Sequence, residues 1–303
     1  SNIKWNKSFG KHSLNAGAYI EYLKAHFKSS SISKEGFDPN FWENGKSTGW
    51  IGDSADNDYY APGASVGEQT AGMFSYFGLA SYDYDTRYGL DVTLRRDASF
   101  RFIDENRWGT FWSVSGRWNI INEKFMSESK VVSDLKLRAS HGTAGNQDIT
   151  GSGIFGASYL YTTRYTAGRG YADEPNAYRL SQLPRRDLKW EEITTTNIGL
   201  DYGFFNNRLR GNIDVYRKQT DDLYQSIPLS AINGTGSIFV FYGSLRNEGV
   251  ELLVAGDIVR KKDLTITLNA NGSYNKNQVL DLPTDEGFIW NGTSLSGMRN
   301  GGR

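Results

Sequence analysis

The chain contains no cysteine, only 6 Pro, 3 Met and 3 His among 303 residues, and no surplus of either charge, with 34 Lys+Arg against 34 Asp+Glu. The first absence excludes disulfide staples, thiolate metal sites and a cysteine nucleophile. Charge balance removes the basic footprint of a general nucleic-acid binder. Long apolar runs are missing too. The longest, Ile238-Phe239-Val240-Phe241-Tyr242, is far short of the ~20 residues that a membrane helix needs. Ser1-Asn2-Ile3-Lys4-Trp5 carries no charged-then-apolar signal pattern. His12, His26 and His141 stand far apart beside no acidic motif, which argues against a catalytic triad or a histidine metal centre.

What the chain has instead is aromatic residues, at 14%, and 34 Gly. That aromatic content argues for ordered structure despite the low hydrophobicity. Apolar residues recur with period two. Leu90, Val92 and Leu94 interleave with Asp91, Thr93 and Arg95; Leu264, Ile266 and Leu268 interleave with Thr265, Thr267 and Asn269. Ile198 and Leu200 oppose Asn197 and Asp201, while Ile213 and Val215 oppose Asn212 and Asp214. Such alternation marks strands with one apolar and one wet face. It predicts ten strands, at 1–9, 12–28, 72–84, 87–102, 107–119, 132–141, 190–205, 208–222, 245–260 and 263–278.

The connections alternate in kind. Gly10-Lys11, Asp85-Thr86, 120–131, Asn206-Asn207 and Arg260–Asp263 are mostly short; 29–71, 98–106, 142–189, 223–244 and 279–303 are mostly long. Outer-membrane barrels sort their turns and loops in this way, with lipid on the apolar face and a wet interior on the other. Arg95 and Arg210 fall on the polar side, as that arrangement requires. Trp112 with Trp118, and Tyr76 with Tyr84, would span ~15 and ~20 Å along the membrane normal, near the spacing of two aromatic girdles. The fold expected is all-β: an antiparallel transmembrane β-barrel, of which residues 1–303 are an interior segment of about ten strands with both ends in outside loops.

Several stretches then resemble the SusC (SusC/RagA) family of TonB-dependent outer-membrane transporters. Leu137–Gln147 is similar to a strand-to-loop junction of that family, with His141 where Tyr is usual. Leu94–Ser99 with Arg101-Phe102 resembles an arginine-rich strand end, and Phe111–Ser115 a stretch that more often carries Pro where Trp112 stands. Leu188–Glu192 with Thr195–Asp201 resembles the strand that returns after a long loop; Asn247–Glu251 and Tyr274–Asn277 also match. The resemblance implies a barrel of about 22 strands, a plug domain and closing strands outside this segment, energy from a TonB complex, a SusD-like surface lipoprotein as lid, and a Gram-negative outer membrane as location. It implies no cofactor and no enzymatic activity.

Cargo recognition is expected in the long loops. Trp42, Trp50, Tyr59 and Tyr60 in loop 29–71, and Tyr159, Tyr161, Tyr165 and Tyr171 with Arg164 and Arg169 in loop 142–189, are the candidate binding residues. Aromatic faces stack on sugar rings while polar groups bind the hydroxyls, so an oligosaccharide is the first expected cargo and a peptide the alternative. The same rings could form small loop cores or contact a lipoprotein. The competing class is a surface adhesin or carbohydrate-binding protein whose apolar stripes would pack between two stacked sheets. Gly142 and Gly145 are expected at a sharp exit from the strand, in left-handed backbone; Trp190 and Tyr274 at the membrane interface; and Gly249 at a bulge or close approach. Asp53–Asp58 lacks the glycine of a calcium loop, Gly45-Lys46-Ser47 lacks the upstream glycine of a phosphate loop, and Gly292–Ser296 lacks the last glycine of a nucleophile elbow.

Overall fold

The computed structural model describes residues 1–33, 63–148, 161–168, 177–241, 243–281, 288–290 and 295–297. Its strands are β1 (Asn2–Phe9), β2 (His12–Ser33), β3 (Gly63–Tyr84), β4 (Tyr88–Ser99), β5 (Trp108–Asn119), β6 (Val132–Asn146), β7 (Arg164–Gly168), β8 (Ala177–Gln182), β9 (Glu191–Phe204), β10 (Leu209–Asp221), β11 (Tyr224–Pro228), β12 (Ser237–Phe241), β13 (Ser244–Arg260), β14 (Thr265–Asp281), β15 (Phe288–Trp290) and β16 (Leu295–Gly297). Ten of them form a single sheet in the order β1-β2-β3-β4-β5-β6-β9-β10-β13-β14. Each of the ten expected strands is present, and each pairs with its sequence neighbours in the large sheet. The order does not close on itself. The remaining strands make three two-stranded hairpins, β7-β8, β11-β12 and β15-β16, all inside connections expected to be irregular. Residues Leu23–Gly72 form a compact unit of their own, in which His26 meets Thr70 at 2.7 Å and Glu68 at 2.8 Å.

Tight turns join the strands at one end. Gly10 has φ +57°, and Asp85 and Thr86 have φ 53° and 55°. Left-handed backbone at a β-branched residue is costly, and local bonds hold it: the Thr86 amide donates to Asp83 Oδ1 at 2.9 Å, and Lys11 Nζ lies 2.9 Å from Asp85. The Lys11 ammonium draws the Asp85 carboxyl below the usual range, through its hydrogen bond first.

Register places the apolar residues of successive strands side by side. Leu137 pairs with Leu200, Leu200 with Ile213 and Ile213 with Leu252. This face is uncovered: Leu90 is 46% exposed, Val92 42%, Ile266 47% and Leu268 63%. Among the described residues no second sheet lies over it, so the sandwich arrangement does not apply. Aromatic rings on the same face gather at two heights. Toward the short turns, Tyr84, Tyr88 and Trp118 stack in sequence at 6.4 and 6.5 Å, with the Tyr88 hydroxyl and the Trp118 Nε1–H both donating to Glu123 at 2.6 and 3.1 Å. Those two donors hold the Glu123 carboxyl below its ordinary range, Tyr88 foremost. Toward the long loops, Phe74 and Tyr76 flank Trp108, Arg96 lies 5.1 Å from the Trp108 ring, and Trp112 meets His141 edge-on. Rings with an apolar body and a polar edge, set apart along the strands in this way, form the two girdles anticipated from their spacing.

Two local expectations need correction and a third holds. β6 runs straight through Gly142 and Gly145 to Asn146, so there is no exit turn there, and neither glycine has positive φ. Both are required by crowding: a Cβ at Gly145 would lie 2.0 Å from the Phe111 ring, and one at Gly142 would lie 2.6 Å from the Trp112 carbonyl. Trp190 is not a girdle residue; it packs against Phe102 and Phe111, each at 5.5 Å between ring centres, and donates from Nε1 to the Arg107 carbonyl at 3.1 Å. Gly249 does sit at a close approach, since a Cβ there would lie 2.6 Å from the Tyr216 ring.

Candidate functional site: the polar wall and the roots of the long loops

On the face opposite the apolar stripe, alternation brings charged side chains into register. Arg95 donates from Nε to both Asp97 oxygens at 2.8 and 2.9 Å, and from Nη2 to Glu21 at 3.2 Å and Ser75 at 3.1 Å. Its guanidinium lies 4.9 Å from the Phe77 ring, which stacks on Tyr19 at 4.7 Å. Farther along the sheet, Arg138 forks onto Asp201 at 2.8 Å and Asp214 at 3.2 Å, while Asn212 donates to Asp214 at 2.6 Å. Arg117 pairs with Asp83. Arg210 lies 3.2 Å from Asp257, which also accepts from Thr267 at 2.9 Å. Arg95 and Arg210 therefore take the polar side, as expected.

Glycines make this wall flat. Gly89 pairs with Arg117, Gly199 with Arg138 and Gly249 with Tyr216 across adjacent strands. In each pair the long side chain lies over its glycine partner, where a Cβ would stand 2.6, 2.7 and 2.6 Å from it respectively. A planar group over a cross-strand glycine shields the backbone and keeps the side chain close to the sheet. Between Asp91, Ser115, Arg117, Arg138, Ser140 and Asn197 this leaves a polar groove of about 620 Å³.

At the long-loop end, a small core ties loop roots together. Phe102 and Leu188 are each 1% exposed and pack with Trp190, Tyr224 and Phe241. Buried Glu191 accepts from Asn146 Nδ2 at 2.8 Å and from the Tyr224 amide at 2.9 Å. Buried Arg101 donates to the Gln147 carbonyl at 2.7 Å and to Asp148 at 3.2 Å. Tyr224 stacks on Phe239 at 4.8 Å, and burial raises its phenol well above the ordinary value. Arg185, outside this core, binds Asp187 through Nε at 2.7 Å and holds that carboxyl low. These contacts fix where the loops leave the sheet.

Of the candidate cargo residues, Tyr161, Arg164 and Tyr165 are described. Arg164 and Tyr165 begin β7, which pairs with β8. Tyr165 is 66% exposed and so is Tyr178 at 74%, on the same hairpin, while Tyr161 is half-buried. Trp42, Trp50, Tyr59, Tyr60, Tyr159, Arg169 and Tyr171 lie outside the described residues, as do Asp53–Asp58, Gly45-Lys46-Ser47 and Gly292-Thr293-Ser294. Sequence reading missed the loop-root core and the glycine pairs. A signal for the pairs was present, namely Gly standing opposite Arg or Tyr once strands are aligned in register. His12, His26 and His141 bond to separate partners, Tyr82, Thr70 and Thr196. Among the described residues no group of His, Asp or Glu is arranged to hold a metal. What the wall offers chemically is fixed charge and hydrogen bonds along a wet surface.

The family model described as TonB dependent receptor-like, beta-barrel matches residues 2–299. The TonB-dependent receptor SusC of Bacteroides thetaiotaomicron is 35% identical over 284 residues, which are 90% of this chain and 28% of that protein. The TonB-dependent receptor P39 of Formosa agariphila is 34% identical over 76% of this chain and 22% of its own length. Among solved structures, the RagAB peptide importer in its open-open state superposes with a TM-score of 0.79 at 30% identity, covering 98% of this chain and 32% of that one. The chain thus spans about three-tenths of the length of these relatives. With its ten-stranded antiparallel sheet, exposed apolar face and ion-paired polar face, the chain belongs to the TonB-dependent receptor β-barrel family and is a homologue of SusC.

Proposed function

We propose that this chain forms part of the wall of a TonB-energised importer in a Gram-negative outer membrane. In this reading residues 1–303 all belong to the barrel, and the plug and closing strands are supplied by other parts of the protein. The long loops and a SusD-like surface lipoprotein trap an oligomeric cargo, and plug rearrangement driven through a TonB complex releases it inward. The observation that carries this reading is the division of one sheet into an uncovered apolar face and a continuous ion-paired face. A lipid-facing, water-lined wall needs both. The TonB-dependent receptors that this chain resembles support a transport reading rather than an enzymatic one.

An oligosaccharide remains the first cargo reading, because exposed Tyr165 and Tyr178 on the β7-β8 hairpin offer flat faces suited to sugar rings. The peptide reading has its own support in the similarity to the RagAB peptide importer. Uptake assays separate them. Cells lacking the protein should fail to accumulate fluorescent oligosaccharides while still importing labelled peptides; loss of peptide uptake alone would replace the sugar reading. Co-purification of a surface lipoprotein with the tagged protein is the expected sign of the lid, and its absence from gently solubilised membranes would remove that partner.

A further inference from the structure

We propose that the apolar face carries a seat for the phosphate monoester headgroup of a membrane lipid, where the hydrocarbon-facing rows end toward the long loops. Three successive rows on this face change character sharply. Ile198, Val215, Val250 and Tyr274 are paired side by side across β9, β10, β13 and β14. The next row toward the long loops is Thr196, Arg217, Glu248 and Lys276, and the one beyond it Thr194, Gln219, Arg246 and Gln278. The first two rows line one groove of about 440 Å³ on the face, with an apolar floor and a charged upper edge.

The charge there is not balanced. Glu248 lies 2.7 Å from Arg217 Nε and 3.9 Å from Arg246 Nε, and it is the only carboxylate in the three rows. Arg246 also donates to Gln219 at 3.1 Å, and Lys276 has no carboxylate partner among the described residues. Three cations around one carboxylate leave two positive charges within these rows, with Glu192 and Asp221 paired one row farther toward the long loops and Ile198, Val215 and Val250 on the hydrocarbon side. On the hydrocarbon side such residues would be costly; at its edge they meet lipid phosphates, an attraction that grows with each Lys or Arg near the surface. A phosphate monoester carries about −1.5 to −2 charge at neutral pH, which matches the surplus better than a diester would. Arg217, 60% exposed at its side chain, can fork onto two phosphate oxygens while the acyl chains follow the apolar floor. The groove faces lipid rather than the wet wall, so this inference stands apart from the identity of the cargo.

The test uses the protein purified from outer membranes in detergent and read by native mass spectrometry, with phosphatidic acid as the probe. Diacylglycerol of the same acyl chains and inorganic phosphate serve as comparison arms. The wild-type protein should retain phosphatidic acid at least ~5-fold better than diacylglycerol, and R217Q and K276Q should each lower that retention about fivefold. E248Q should raise it, which a variant merely impaired in folding would not do; heat-modifiable gel migration confirms the folded barrel in each. Equal retention of the two lipids, or no gain for E248Q, overturns the proposal. So does displacement by millimolar inorganic phosphate, which would make the seat one for a free anion. A change of oligomeric state in R217Q without loss of lipid would assign the groove to a second copy instead.

Discussion

Leu200, Ile213 and Leu252 lie side by side on the outward face with no polar partner among them, while one residue along the same strands Asp201 and Asp214 share the fork of Arg138. Two faces a single peptide unit apart therefore face opposite surroundings. The backbone hydrogen bonds are common to both, so the difference lies entirely in what each side chain meets. The outward face is stabilised when its side chains lose water to hydrocarbon. The inward face keeps its charges wet and paired, where each pair contributes little alone. Glycines under long side chains occur on both faces: inward Gly89, Gly199 and Gly249 lie under Arg117, Arg138 and Tyr216, outward Gly211 lies under Tyr202, and outward Gly272 has nothing within 4 Å of a Cβ position.

The largest effect should come from putting a charge on the wrong face. Ile213→Arg, outward and at mid-depth, is expected to cost ~2–4 kcal/mol, whereas Ser140→Arg on the wet face should change stability by less than about 0.5 kcal/mol. Urea titrations of both variants refolded into lipid vesicles read the difference; equal costs would break the two-face account. Next, Gly145→Ala forces a methyl into the Phe111 ring and should lose ~1–3 kcal/mol, while Gly272→Ala should be neutral or slightly stabilising. The same titration measures both. Arg138→Gln should cost roughly 1 kcal/mol, a small figure because the guanidinium is 37% exposed and its pairs are water-screened. A loss well above that would mean the wall is dry.

The smallest expected effect is confined to the short-turn end. Asp85 and Glu123 both have folded-state carboxyls held below their ordinary values. A depressed carboxylate contributes stability that is fully present above its unfolded value, ~4, and that is lost as pH falls through the lower folded value. Hydrogen-exchange protection factors at the amides of Thr86 and Arg87, taken relative to the intrinsic rate at each pH, should therefore be high at pH 6 and fall below about pH 4. Lys11→Met should shift the onset upward. Protection that is flat across that range would show that the turn is held by its backbone alone.

Much of the fold was legible because period two survives over whole strands: Leu90 to Leu94 and Leu264 to Leu268 state their faces without any partner. Strand ends were less legible. β6 continues to Asn146 because Phe111 needs the space over Gly145, a reason that exists only once β5 lies beside it. The β11-β12 hairpin was hidden for a related reason. Ile238–Phe241 reads as an isolated apolar run until Tyr224 stacks on Phe239 and supplies its partner. The loop-root core joins Phe102, Leu188 and Trp190, which are separated by more than eighty residues at the widest, so no local pattern announces it. Of the candidate cargo residues, Tyr161, Arg164 and Tyr165 are among the described residues, the last two on the β7-β8 hairpin.

The direction in which the apolar rows point can be measured most directly by cysteine scanning along β13, since the chain has no native cysteine. Spin labels at Val250, Leu252 and Val254 should be relaxed by oxygen dissolved in the membrane, and labels at Glu251, Leu253 and Ala255 by a water-soluble nickel chelate. Alternation in that phase is the predicted result. The opposite phase, or labels that answer to neither reagent because both faces are buried in protein, would contradict the account.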